Sequence, residues 1–183
     1  MSRPSSGSWR RIAVVGASGV GKTEMTRKLA ASFDLPCTSL DDLRWPGEGR
    51  ASDSEFARRL AESTAGSEWA IEGAEDSAIV RAQWERADLL VWLDHGRAAV
   101  VARMFLGTSW LNRFGPDCST GRLAYARYLI RKAGRSRRQA ARLRRTMPAV
   151  SQSLSDRGVT VIRLRSVLGT RRWLRSVRTD VHI

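Results

Sequence analysis

Residues 16–23 read Gly16-Ala17-Ser18-Gly19-Val20-Gly21-Lys22-Thr23, a Gly-x-x-x-x-Gly-Lys-Thr pattern. Glycines at these spacings let the backbone turn tightly, so that successive N–H groups point at one anion. The positive end of a following helix adds to that field. In such a loop Lys22 is expected to bridge the β- and γ-phosphates of a nucleotide, and the Thr23 hydroxyl to ligate Mg²⁺. The chemistry implied is the binding of MgATP by a P-loop.

Phosphoryl chemistry also asks for acids. Asp41 and Asp42 follow residues 35–40, which read as a strand, so they are expected at the carboxyl edge of the sheet beside the loop, where a carboxylate could take a proton from a substrate hydroxyl or hold a magnesium-bound water. The plainer reading of the pair is an aspartate capping a turn. Glu72 and Asp94 each end a short apolar run, and Glu72, followed by Gly73, is the choice for orienting magnesium. Arg44, Arg50, Arg58 and Arg81 could instead pair with an acceptor that already carries a phosphate. Trp45, beside Asp41, could stack on an acceptor ring, while Trp69, Trp92 and Trp173 read as core.

These residues need elements to hold them. Ile12-Ala13-Val14-Val15 is a β-branched run that ends at the glycine loop, and residues 22–32 carry good helix formers with Met25, Leu29 and Phe33 near helical spacing. Residues 35–40 and 69–71 read as further strands. Ser52 begins a helix as N-cap with Glu55 as its capping-box partner, and residues 77–86 form another. Residues 88–93 are continuously apolar after Asp88, as in a strand covered on both faces. Residues 96–106 read as helix, Gly115-Pro116 as loop, 159–164 as the last strand and 170–177 as the last helix. Strand alternating with helix predicts an α/β fold, a five-stranded parallel sheet with helices on both faces and ligands at the carboxyl ends of its strands.

One stretch departs from the alternation. Residues 121–155 are helical in composition, lack any acid between Asp117 and Asp156, and place Arg127, Arg131, Arg135, Arg138, Arg142 and Arg145 at steps of three or four. On a helix this makes one basic stripe, which Gly134 is expected to break or bend.

The chain of 183 residues is the size of one domain, with residues 1–9 as a loose tail and about 110–155 as a lid or helical insert. Its formal charge of +14 favours anionic partners. No apolar stretch approaches the length of a membrane span and the start does not read as a secretion signal, so a cytoplasmic protein without a membrane partner is expected. Cys37 and Cys118 read as free thiols. A monomer or homodimer is expected.

In sequence order, the chain resembles the small P-loop kinases related to adenylate and shikimate kinases, and within them the FlaR-like family that carries the name DNA topology modulation protein. The resemblance rests on the P-loop, on Ser39-Leu40-Asp41-Asp42-Leu43-Arg44-Trp45 against a His-Leu-Asp-x-x-x-Trp pattern, and on Trp69-Ala70-Ile71-Glu72-Gly73 against Trp-x-Ile-Asp-Gly. Further matches are Ala87-Asp88 through Leu93-Asp94 with Arg97, Arg103, Val161 to Ser166, and Trp173-Leu174. It implies that Asp41 faces the phosphoryl acceptor, that Glu72 stands at the Walker B position, and that Arg103 reaches the nucleotide phosphates. It also places the arginine-rich segment at the lid, with Arg127 and Arg131 as the arginines that close over the phosphates. Serine stands for histidine at Ser39, glutamate for aspartate at Glu72, and His95-Gly96 interrupts the usual ending of the fourth strand.

Two functions are compatible with these residues. In the first, a kinase passes the γ-phosphate of MgATP to a nucleoside monophosphate or a hydroxyl metabolite held by Asp41, Asp42, Arg44, Trp45 and Arg81. In the second, a nucleotide-dependent regulatory protein grips nucleic acid through the basic stripe. Against the second, only Tyr125 and Tyr128 interleave aromatic rings with the arginines.

Overall fold

The computed structural model describes residues 9–47, 49–96, 100 and 122–181, with side chains in the last stretch for residues 131 and 133–177. Five strands carry the apolar runs: β1 (Arg11–Gly16), β2 (Cys37–Ser39), β3 (Trp69–Gly73), β4 (Leu89–Leu93) and β5 (Thr160–Leu164). All neighbouring pairs are parallel, in the order β2-β3-β1-β4-β5. The central strands β1, β3 and β4 are almost wholly buried, as a sheet covered on both faces requires.

Side chains alternate between two cores. Ile12, Val14, Leu89, Val91 and Leu93 point to one face, where they meet Met25 and Leu29 of α1 (Lys22–Phe33) and Val177 of α6 (Val167–Val181). Ala13, Val15, Ile71, Leu90 and Trp92 point to the other. That second face is covered by α2 (Leu40–Arg44), α3 (Asp53–Ser63) and α4 (Ala78–Trp84), through Leu40, Phe56, Leu60, Val80 and Trp84. The Ser52 cap is in place: its hydroxyl accepts the Glu55 N–H at 3.1 Å.

The arginine-rich stretch is a single helix, α5 (Arg122–Asp156), 35 residues long. Gly134 therefore does not break it, and Pro148 also lies inside it. Packing overrides the glycine's propensity here. Ala133 and Ala140 rest on the first core, while Leu143, Met147 and Leu154 are buried in the second. So α5 passes from one face of the sheet to the other across its carboxyl edge. From Leu143 onward the helix, expected to belong to an insert, packs against the second core. Trp9, expected in the loose tail, is buried, edge-on to Phe33 and stacked on Trp173 at 6.4 Å.

Arg103, Cys118, the expected helix of residues 96–106 apart from Gly96 and Val100, and the Gly115-Pro116 loop lie outside the described residues, as does the side chain of Arg127.

Candidate active site

The loop between β1 and α1 is built by glycine at the points where no other residue fits. Gly21, the N-cap of α1, has φ +99°, and Gly19 has φ +84°, both in the left-handed region that side chains disfavour. Behind the loop, a Cβ on Gly16 would lie 2.9 Å from the Leu93 carbonyl oxygen.

Lys22 is only 8% exposed, and its Nζ donates to the Ala17 carbonyl at 3.3 Å, folding the ammonium back over the loop. Glu72 completes the arrangement. The Thr23 hydroxyl donates to its Oε1 at 3.0 Å, and Oε2 stands 4.0 Å from Lys22 Nζ. The strand register accounts for this convergence, because Glu72 pairs with Val14 of β1 and so emerges beside the loop two residues before Gly16. Gly73 lets α2 close in, since a Cβ there would fall 2.6 Å from the Leu40 side chain. Burial lowers the Lys22 pKa, and the negative charges of Glu72 and Asp41 counter it.

Asp41 and Asp42 are exposed on the first turn of α2, and Asp41 is close enough to act on Lys22 electrostatically. Trp45, at the end of that helix, is 55% exposed. Arg44 differs from its neighbours. Its guanidinium is buried, bonds Asp53 at 2.8 Å and Glu75 at 2.5 Å, and lies 3.8 Å above the Phe56 ring. Burial alone would lower its pKa, but the hydrogen bonds and charges of Glu75 and Asp53 raise it. Arg44, expected at an acceptor phosphate, is shared between two carboxylates and a ring and braces α2 against α3. Arg81 is partly exposed beside the buried Asp76, with Nη2 3.4 Å from Oδ2.

Asp94 is not at the phosphate loop's disposal. Arg144 holds its Oδ1 at 2.7 Å, and Arg163, stacked 4.0 Å from the Trp92 ring, holds Oδ2 at 2.5 Å. Glu72 is thus the strand-end acid that touches the loop. It is the donor set expected for magnesium, which takes few protein ligands and keeps its waters: one hydroxyl and one nearby carboxylate.

Several contacts of this site were not foreseen, and all come from α5. Ser136 Oγ donates to the Ser18 carbonyl at 2.7 Å, and the Ser18 N–H donates to Gln139 Oε1 at 2.9 Å. Arg144 reaches Asp94, and Arg142 and Thr146 meet Asp76. These partners are separated by 50 to 121 residues in sequence, which no local pattern encodes. From Arg131 onward the basic stripe is exposed, at Arg131, Arg135, Arg138, Arg142 and Arg145, and Arg144 lies off it. Between α5 and the loop opens an apolar cavity of about 280 Å³, bordered by Ala17, Val20, Leu93, Gly134 and Ala140.

No family model and no curated protein matches the chain. Solved structures do. Shikimate kinase from Acinetobacter baumannii in complex with shikimate is similar with a TM-score of 0.56 and 15% identity, over 92% of this chain and 90% of that one. Shikimate kinase from Bacteroides thetaiotaomicron is similar with a TM-score of 0.54 and 12% identity, over 96% of this chain and 100% of that one. At such identities the likeness concerns the fold alone: five parallel strands wrapped by helices, with a glycine-rich loop after the first.

Proposed function

We propose that this chain is an ATP-dependent phosphotransferase that passes the γ-phosphate of MgATP to a small acceptor. The observation that carries the reading is the convergence of Lys22, Thr23 and Glu72 at the mouth of the loop, with the exposed Asp41 on the adjoining helix. The loop amides and Lys22 bind and orient the polyphosphate, and Lys22 offsets charge as the phosphoryl group transfers. Thr23 and Glu72 would hold the magnesium ion, which supplies further charge neutralisation on the phosphates. Asp41 stands where it can take the proton of an attacking hydroxyl.

With Arg44 spent on Asp53 and Glu75, the acceptor side offers a carboxylate more readily than a guanidinium, which favours a hydroxyl compound over a nucleoside monophosphate. The solved shikimate kinases of similar fold support a small-molecule acceptor, and the FlaR-like resemblance of residues 39–45 and 69–73 supports the same division of roles. Arg103 is proposed to reach the nucleotide phosphates, and Arg127 and Arg131 to serve as the lid arginines. The exposed arginines of α5 favour a second reading, a nucleotide-dependent protein that grips a nucleic-acid backbone through them.

The test is ADP release from MgATP against a panel of nucleosides, nucleoside monophosphates and small hydroxyl metabolites, with Lys22→Ala as the blank. Acceptor-dependent release, lost in that variant, is expected. A silent panel, or turnover unchanged by Lys22→Ala, would refute the phosphotransferase.

A further inference from the structure

We infer that Ser136 and Gln139 are positioning residues for nucleotide binding: from α5 they clamp the Ser18 peptide and so fix the shape of the phosphate loop. The inference rests on the P-loop reading above but not on the identity of the acceptor.

Ser136 and Gln139 lie three residues apart and therefore on one face of the helix. Between them they take both polar groups of a single residue: Ser136 Oγ donates to the Ser18 carbonyl and the Ser18 N–H donates to Gln139 Oε1. Ser136 is 4% exposed, so its bond is shielded from water. The helix is itself held in register on the same edge of the sheet. Arg144 bonds Asp94 Oδ1 and, at 3.2 Å, the His95 carbonyl, while Arg142 and Thr146 meet the buried Asp76.

The loop needs such a fixture. Two of its residues, Gly19 and Gly21, have positive φ and no side chain to limit them, and the bond to Lys22 is the loop's own. A loop free to sample other shapes must be ordered when phosphate binds, at a cost charged against affinity. Ser18, just ahead of Gly19, is the point at which an outside element can remove that freedom beforehand. Ser136 and Gln139 touch Ser18, and they act on the nucleotide through it.

The experiment is calorimetric titration of MgADP and MgATP into the full chain, without acceptor, together with the melting temperature of the nucleotide-free protein. Gln139→Met removes the acceptor oxygen at similar length, Ser136→Ala removes the hydroxyl, and Ser136→Thr keeps it. Kd is expected to rise about tenfold in Gln139→Met and in Ser136→Ala, and to stay within about twofold of the parent in Ser136→Thr. A brace with no bearing on the loop would lower the melting temperature and leave Kd unchanged in the folded molecules, and that result overturns the inference. Should Gln139→Met not fold, the Ser136→Ala and Ser136→Thr pair decides alone, equal affinities counting against the clamp. A parent protein that binds no nucleotide sinks the P-loop reading and the clamp together. One that binds while the acceptor panel stays silent sinks only the phosphotransferase.

Discussion

Lys22 sits in a balance that its burial alone would tip. Desolvation disfavours the ammonium and lowers its pKa on balance, and the negative charges of Glu72 and Asp41 counter part of that shift. Glu72 also accepts from Thr23, whereas Asp41 is exposed on the acceptor side. The two acids are therefore separable by mutation. Asp41→Asn keeps the shape and removes the base. If Asp41 takes the acceptor proton, kcat falls by about 10²–10⁴ while the MgATP Kd changes little. A loss confined to nucleotide affinity would instead place Asp41 with Lys22 as a mere counter-charge. The motif around Lys22 was readable because glycine, lysine and threonine occur there at spacings set by phosphate itself. Arg44 is the opposite case: next to a tryptophan and within three residues of two acids, it looks like a ligand-binding arginine, and only the fold brings Asp53, Glu75 and Phe56 around it.

The central strands announce themselves as β-branched or continuously apolar runs because both faces of the sheet are covered there, and α3 announces itself through its Ser52 N-cap. The long helix does not yield to the same treatment. Its composition gave a basic stripe, which is exposed, but its hidden side carries Ser136, Gln139, Leu143 and Met147, whose partners lie on distant strands and loops. Gly134 was read by propensity alone, and propensity lost to packing on either side. Its local cost should still be recoverable. A Cβ at Gly134 would meet nothing within 4 Å, because the residue borders the apolar cavity. Gly134→Ala is thus expected to stabilise the fold by up to ~1 kcal/mol, the difference between glycine and alanine inside a helix. Denaturant unfolding measures it, and a destabilised variant would mean that the helix needs the glycine's freedom for a bend.

Across the whole molecule, opposite ends of the sheet serve opposite purposes. The carboxyl edge gathers Lys22, Thr23, Glu72, Asp41 and the α5 contacts, while the amino edge is closed by Asp88. Asp88 Oδ2 accepts the backbone N–H groups of Arg10 and Arg11 at 3.0 and 2.8 Å, and Oδ1 accepts the Arg11 guanidinium at 2.7 Å. Burial pushes its pKa up, but these donors outweigh burial and hold the carboxyl below the ordinary aspartate value of 3.8. A carboxyl whose pKa is lower in the folded than in the unfolded chain binds its proton more readily when unfolded. Its stabilisation is present above the unfolded value and is lost as pH falls through the folded one. In a chain of formal charge +14, protonation of carboxylates also removes the few charges that offset the arginines, so acid should bring unfolding on early. Asp88→Asn is then expected to be less stable than the parent at pH 7, with the gap closing as pH is lowered from about 5 towards 2. Unfolding free energies measured across that range decide the matter: a gap that stays constant with pH would show that the asparagine loses packing or geometry and that the charge of Asp88 contributes nothing to tying the first strand to the fourth.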